Sequence, residues 1–364
     1  MKTKIHQSYL VAAVCLLTAS ISAKHNNEVV ATINTGVNPA GMAITPDSRY
    51  AYVANNNSYD IAGEDSVSIL DLKHNLPLGT LQDPSFNAPY TVTMGINGAK
   101  AYVTNSGGST ITVINTATNT VSAVISGFDG PSGMVITPAG NRAYVNNYGS
   151  PEGVGSGNGT TIRVVDLNSN SIIGAPIEVG LAPAALAISP NGQYVYVVNY
   201  EDGNPGTGTM DVIRTSDNTV VATIGGFFGP FAIALTPNGR YAYVTNFGSN
   251  NFAPYGSTVS VVDLMTNQII DTVNVGIQPS GVAITNNCLV YVTNSNVLYA
   301  GEDFTDLTPG QGTVNIIDTK TNTVIAPTIL VGDAPGGIFI APNGKHAYVT
   351  NYISNTVSVI KLKK

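Results

Sequence analysis

The chain has no tryptophan, four histidines and two cysteines among its 364 residues. The lack of tryptophan excludes a tryptophan-derived cofactor. His25, His74 and His346 lie far apart in the chain, so no histidine cluster of the kind that copper and zinc enzymes need is available. Cys15 lies in a segment that we expect to be removed, and Cys288 alone cannot form an intramolecular disulfide. We therefore expect no cofactor and a fold that depends on its core alone.

Charge is also scarce, at 10% of residues, and beyond the N-terminus no apolar run reaches the roughly 18 residues of a spanning helix. Residues 1–23 contain two lysines, the apolar run Leu10–Leu17, and the small residues Ser22 and Ala23, a pattern typical of a signal peptide. Removing the two lysines changes the formal net charge from −7 to −9. We predict an exported mature chain, 24–364, that is periplasmic, on the cell surface or secreted, with no membrane span.

A Tyr-Val-x-Asn tetrapeptide occurs seven times, and successive copies are separated by 50, 42, 52, 47, 48 and 57 residues. The copies begin at Tyr52, Tyr102, Tyr144, Tyr196, Tyr243, Tyr291 and Tyr348. A proline precedes each copy in step, at Pro39, Pro89, Pro131, Pro183, Pro230, Pro279 and Pro335. Two series in phase indicate a repeat architecture.

Each repeat contains four short runs rich in Val, Ile, Thr and Tyr, separated by Gly, Pro and Asn. In the fifth repeat the runs are 231–236, 241–246, 258–263 and 268–275, and Pro237-Asn238-Gly239 forms a hairpin turn. No segment of the mature chain has sustained helical periodicity. The sequence therefore predicts an all-β, seven-bladed propeller of four-stranded antiparallel blades.

The order of the runs predicts how the ring closes. Residues 28–34 match the fourth strand of a repeat, whereas residues 357–361 at the other end match the third strand. Seven complete blades therefore require the N-terminal strand to join the C-terminal blade, which also removes an exposed sheet edge.

The repeat resembles the YVTN β-propeller repeat of bacterial and archaeal surface or exported proteins, including YncE-like propellers. The resemblance rests on Pro279–Thr285, Tyr241–Asn246, Thr258–Asp263 and Thr321–Val324, and it extends over essentially the whole mature chain. It implies the propeller fold and an exported location, and it is weakly specific for activity because propellers carry many functions.

Features shared by all seven repeats are interpreted as structural. We expect the repeated tyrosines to pack between blades and the repeated asparagines to cap turns. Charged residues occupy two repeat positions of the third strands in blades three and four. Arg163 and Asp211 occupy the first of these positions in the two blades, and Asp166 and Arg214 occupy the second. We interpret them as inter-blade salt bridges.

The loops between second and third strands differ among blades and predict the binding face. They are rich in acids and aromatic residues and contain no lysine or arginine. The candidate binding residues are Asp60, Glu64, Asp65, Tyr148, Tyr200, Glu201, Asp202, Phe247, Tyr255, Tyr299, Glu302, Asp303 and Asp306. A plain solvated rim is the alternative interpretation of this acidic face.

The leading functional interpretation is an exported, non-catalytic and monomeric scaffold that binds a protein, a glycan or a cationic ligand through this face. One alternative is a metal-assisted, lactonase-like hydrolase that uses Glu64, Asp65, Glu302 or Asp303. No metal-loop spacing and no Gly-x-Ser-x-Gly motif supports catalysis. Another alternative is a YncE-like nucleic-acid binder that uses hairpin bases such as Arg49, which the acidic pI of 4.9 disfavours.

Overall fold

The computed structural model describes residues 27–57, 65–149, 158–249, 255–299 and 307–362. These residues form a ring of seven four-stranded antiparallel sheets, so the predicted seven-bladed propeller is confirmed. Within these ranges, no helix is long and apolar enough to cross a bilayer. The predicted signal peptide, 1–23, lies outside the described residues and stays a prediction.

The strands of each blade follow one another from the axis outward, except where the chain ends meet. Blades one to three contain β2 (Pro39–Ile44), β3 (Tyr50–Asn55), β4 (Ser66–Asp71), β5 (Leu76–Leu81); β6 (Pro89–Met94), β7 (Lys100–Asn105), β8 (Thr110–Asn115), β9 (Thr120–Ser126); and β10 (Pro131–Ile136), β11 (Arg142–Asn147), β12 (Thr161–Asp166), β13 (Ser171–Glu178). Blades four and five contain β14 (Pro183–Ile188), β15 (Tyr194–Asn199), β16 (Pro205–Arg214), β17 (Thr219–Phe228); and β18 (Pro230–Leu235), β19 (Tyr241–Gly248), β20 (Tyr255–Asp263), β21 (Gln268–Asn274). Blades six and seven contain β22 (Pro279–Ile284), β23 (Leu289–Asn294), β26 (Thr313–Asp318), β27 (Thr323–Leu330); and β28 (Pro335–Ile340), β29 (His346–Asn351), β30 (Thr356–Lys361), β1 (Glu28–Asn34).

The ring closes as predicted. β1 pairs antiparallel with β30, with Ile33 opposite Val357, and becomes the outer strand of blade seven. Ile33 is 1% exposed and packs in the core between blades seven and one. The two ends of the described chain are therefore held in one sheet.

The described residues form eight hydrophobic clusters, and seven of them lie one between each pair of neighbouring blades. Tyr, Val and Ala dominate the second strands, which are buried on both faces because a blade packs against another on either side. First strands of neighbouring blades contact one another around the whole ring and surround its axis.

Three segments predicted as loops contain strand. β16 begins at Pro205, and β19 and β20 extend to pair Gly248 with Tyr255, because the antiparallel ladder continues past the blade edge. In blade six a short hairpin of β24 (Val297–Tyr299) and β25 (Leu307–Pro309) rises from the second-to-third loop. The loop face is thus partly built from β-structure.

Candidate functional site

The repeated tyrosines tie each blade to the next one. The Tyr144 hydroxyl donates to Asn218 Oδ1 at 2.6 Å, and the Tyr243 hydroxyl donates to Asn322 Oδ1 at 2.7 Å. In each pair the acceptor lies in the outer turn of the following blade. All seven rings are buried to at least 96%, which confirms that they are core residues and not a ligand lining.

The repeated asparagines also act within the scaffold. Asn55 Nδ2, for example, donates to the hydroxyls of Ser66 and Ser68 on the third strand, each at 3.0 Å. Asn351 makes the same contacts with Thr356 and Ser358 at 2.9 Å. The prediction that the repeated asparagines are structural is confirmed. Their side-chain nitrogens bond to hydroxyls of the third strand, however, more than to the backbone of turns.

The prediction of inter-blade salt bridges between Arg163 and Asp211 and between Asp166 and Arg214 is wrong. Arg214 pairs instead with Asp217 of its own turn at 2.7 Å, because that carboxylate is only three residues away. Asp211 accepts hydrogen bonds from Asn199 Nδ2 at 2.8 Å and from the Gly180 N–H at 2.9 Å, so its carboxylate is already satisfied.

One backbone feature of every blade shapes the mouth of the ring. The residue before each inner-strand proline has a positive φ of 47° to 54°. Its carbonyl accepts a hydrogen bond of 2.9 to 3.1 Å from the residue that follows the repeated asparagine. The seven residues that follow the asparagines are Asn56, Ser106, Tyr148, Tyr200, Phe247, Ser295 and Tyr352. They form a ring at the loop-face end of the axis, which we call the mouth.

Below the mouth lies a cavity of ≈ 600 Å³. Its walls come from the first strands of all seven blades, so it lies on the axis, and we call it the axial cavity. Most of the wall is Ala, Val, Ile, Leu, Met and aromatic side chains. Concave apolar cavities of this size are typical of small-molecule sites.

Aromatic side chains are concentrated on part of the mouth and upper wall. Phe231 and Phe247 pack with their ring centroids 5.2 Å apart. Tyr148 packs against the same cluster, and Tyr90 and Tyr352 line the cavity. The mouth residues of blades three, four, five and seven are thus aromatic, whereas those of blades one, two and six are Asn56, Ser106 and Ser295.

The hydroxyls of Tyr148 at the mouth and of Tyr90 on the cavity wall stay protonated. Burial raises the pKa of Tyr90 well above its usual value, and the nearby hydroxyls of Tyr148 and Tyr352 raise it further. Burial also raises the pKa of Tyr148. These groups therefore remain neutral hydrogen-bond donors at physiological pH.

The structure brings some predicted aromatic residues to this mouth and places others elsewhere. Tyr148 and Phe247 belong to it directly. Tyr200 is 7% exposed, and its hydroxyl donates to the Gly248 carbonyl at 2.6 Å, so it supports the strand that carries Phe247. Tyr255 is half-buried on β20, at the outer extension of that blade.

The described acids of the predicted face are engaged in local structure. Asp65 Oδ2 accepts the Ala88 N–H at 3.0 Å, and Glu201 Oε1 accepts the Thr209 hydroxyl at 3.0 Å. Hydrogen bonds from the Thr207 hydroxyl, and then from Asn204, lower the pKa of Asp202 to about 2. Asp202 therefore caps its own loop.

The remaining candidates, Asp60, Glu64, Glu302, Asp303 and Asp306, lie outside the described residues, as does the Tyr299 side chain. Three of the four acids considered for a metal-assisted hydrolase are among them. Within the described ranges, no group of three His, Cys, Asp or Glu residues is placed to hold a metal ion.

The pattern of variable loops did not point to most of the cavity wall, including Tyr90, Phe231 and Gln278. These three residues lie on or beside the inner strands and not in the variable loops. The available signal was the repeat column after the proline, where Tyr90 and Phe231 replace the Ala, Ser or Gly of the other blades.

No protein-family model matches the chain. A stretch of 59 residues, 16% of the chain, is 42% identical to the PE-PGRS family protein PE_PGRS18 of Mycobacterium tuberculosis and spans 13% of that protein. A solved chain of hydrazine synthase from Kuenenia stuttgartiensis is similar with a TM-score of 0.73, over 94% of this chain and 99% of that one, at 19% identity. The structural likeness shows the propeller fold alone.

Proposed function

We propose that the protein is an exported, non-catalytic binding propeller of the YVTN-repeat type, and that its ligand enters the axial cavity through the aromatic mouth. The observation that carries this proposal is the convergence of Tyr90, Tyr148, Phe231 and Phe247 at one end of an apolar cavity. The YVTN assignment rests on the repeat motifs, and export rests on the composition of residues 1–23.

The chemistry of the wall favours a compact, largely apolar ligand. Aromatic faces contribute large contact areas to a bound ring or sugar at little cost in side-chain entropy. The neutral tyrosine hydroxyls supply a few directed hydrogen bonds, which is the usual division of labour in small-molecule sites.

The charge of the loop face favours neutral or cationic ligands. The loops between second and third strands contain nine acids and no base, by count of Asp60, Glu64, Asp65, Glu152, Glu201, Asp202, Glu302, Asp303 and Asp306. A one-signed rim repels anions as they approach and attracts cations.

Titration with N-phenyl-1-naphthylamine, a neutral fluorescent apolar probe, tests the proposal. We expect saturable binding at one site per chain. Tyr148→Ala removes one aromatic face at the mouth and should weaken binding by about 3-fold to 10-fold.

Tyr241→Ala is the matched control, because Tyr241 is also half-buried but lies at the hairpin end of β19 beside Arg240. It should leave the affinity unchanged. Absence of saturable binding, or equal losses in the two variants, would contradict a ligand site at the mouth.

A further inference from the structure

Gln278 is an unusual residue of the cavity wall. It precedes β22 and contributes to the lining of the axial cavity, yet it is 0% exposed. Among the described residues, neither its Nε2 nor its Oε1 has a hydrogen-bond partner. A buried amide with both polar atoms unpaired is costly and requires an explanation.

The fold itself does not need this side chain. The Gln278 N–H donates to the Gly256 carbonyl at 2.7 Å, and the Gln278 carbonyl accepts the Ser295 N–H at 3.0 Å. Both bonds are made by backbone atoms. The same column holds alanine or glycine in five other blades, at Ala88, Gly130, Ala182, Gly229 and Ala334. Its φ of 52° also disfavours a long side chain.

The other amide of this column has a structural partner for its nitrogen, although its Oδ1 has no hydrogen-bond partner among the described residues. Asn38 Nδ2 donates to the Tyr352 carbonyl at 3.1 Å and so ties blade one to blade seven. The serines near Gln278 are similarly engaged, because Ser280 Oγ donates to the Pro335 carbonyl at 2.6 Å and Ser295 Oγ to the same carbonyl at 3.2 Å. In this part of the described wall, Gln278 keeps both a donor and an acceptor unused.

We infer that the axial cavity binds a neutral, ring-bearing small molecule with an amide-like edge, and that the Gln278 amide pairs with this edge. The inference rests on the proposed function and names the ligand class of the same site. A primary carboxamide offers one donor beside one acceptor and complements a glutamine amide at both atoms. An ammonium group would satisfy only Oε1, and a carboxylate would satisfy only Nε2 while entering through an acidic face.

A pair of probes of equal shape tests this inference. Naphthalene-2-carboxamide and 2-acetylnaphthalene differ in that an NH2 group replaces a methyl group, so only the first can donate a hydrogen bond. The wild-type protein should bind the carboxamide about 5-fold to 10-fold more tightly, as measured by calorimetry or by displacement of N-phenyl-1-naphthylamine.

Gln278→Met keeps the length of the side chain without its polar atoms and should abolish this preference, with little change for the acetyl probe. If that variant does not fold, Gln278→Ala replaces it, since alanine occupies this column in three other blades. Asn38→Ala, in the same column, should retain the preference.

The two proposals fail in different ways. Equal wild-type affinities for the two probes, or a preference that survives Gln278→Met, would overturn the role of Gln278 and leave the binding propeller standing. Failure of the wild-type protein to bind either probe or N-phenyl-1-naphthylamine would overturn both.

Discussion

At the hairpin end of the ring, buried tyrosines in one blade reach asparagines in the next, as Tyr144 and Tyr243 do at 2.6 and 2.7 Å. At the loop end, the seven equivalent mouth positions hold four aromatic and three polar side chains. The backbone geometry beneath them is the same in all seven blades. Repetition therefore stabilises one end, while side-chain variation on an equally regular backbone distinguishes the other end, where we propose the binding site.

Removal of β1, the strand that closes the ring, is the strongest test of the repeated scaffold. Deletion of Val29–Ile33 takes away the outer strand of blade seven and exposes the edge of β30. We expect a loss of at least about 3 kcal/mol of unfolding free energy, or no folded protein, because an apolar core residue and a hydrogen-bonded ladder are lost together.

Two point substitutions in that strand sharpen the test. Ile33→Ala should cost about 2–5 kcal/mol, because Ile33 is 1% exposed. Val30→Ala should cost less than about 0.5 kcal/mol, because Val30 is 45% exposed. Thermal and denaturant unfolding measure both, and an unchanged melting temperature for the deletion would refute closure by β1.

Loss of a single tyrosine hydroxyl should have a smaller effect, and the effect should differ between the hairpin end and the loop end of the ring. Tyr243→Phe removes the hydrogen bond to Asn322 and should cost about 1 kcal/mol of stability with no change in probe affinity. Tyr90→Phe removes a hydroxyl that makes no hydrogen bond to a described residue, so it should weaken ligand binding at nearly constant stability. The reverse pattern in urea unfolding and probe titration would contradict the division between the two ends.

The fold was predictable because the repeat has a strong period and a clear order of runs. The seven tyrosine copies gave the blade number, and the strand type of residues 28–34 gave the closure. The axial site was harder to predict. Between the first and second strands of every blade the register shifts just after the proline, as between Pro230 and Ile233. Such bulges re-aim side chains, so a simple two-residue alternation does not reveal which wall residues face the axis.

The acidic binding residues were predicted from the composition of the loops, and composition does not show which groups a carboxylate bonds to in the folded protein. Asp202 illustrates this, because its carboxylate is held by Thr207 and Asn204 within its own loop. Gln278 illustrates the opposite case, since a single glutamine before a proline has no sequence signature. Its importance depends on burial and on the absence of partners among the described residues.

The most direct test of the axial site uses the lack of tryptophan in the chain. Phe231→Trp places a single indole in the aromatic wall, 5.2 Å from Phe247 by the present ring positions. Addition of N-phenyl-1-naphthylamine should quench the tryptophan emission saturably, at the concentration at which probe fluorescence rises. A tryptophan at the hairpin end, from Tyr241→Trp, should show much weaker quenching. Equal quenching at both ends, or none at Phe231→Trp, would contradict a ligand site in the axial cavity.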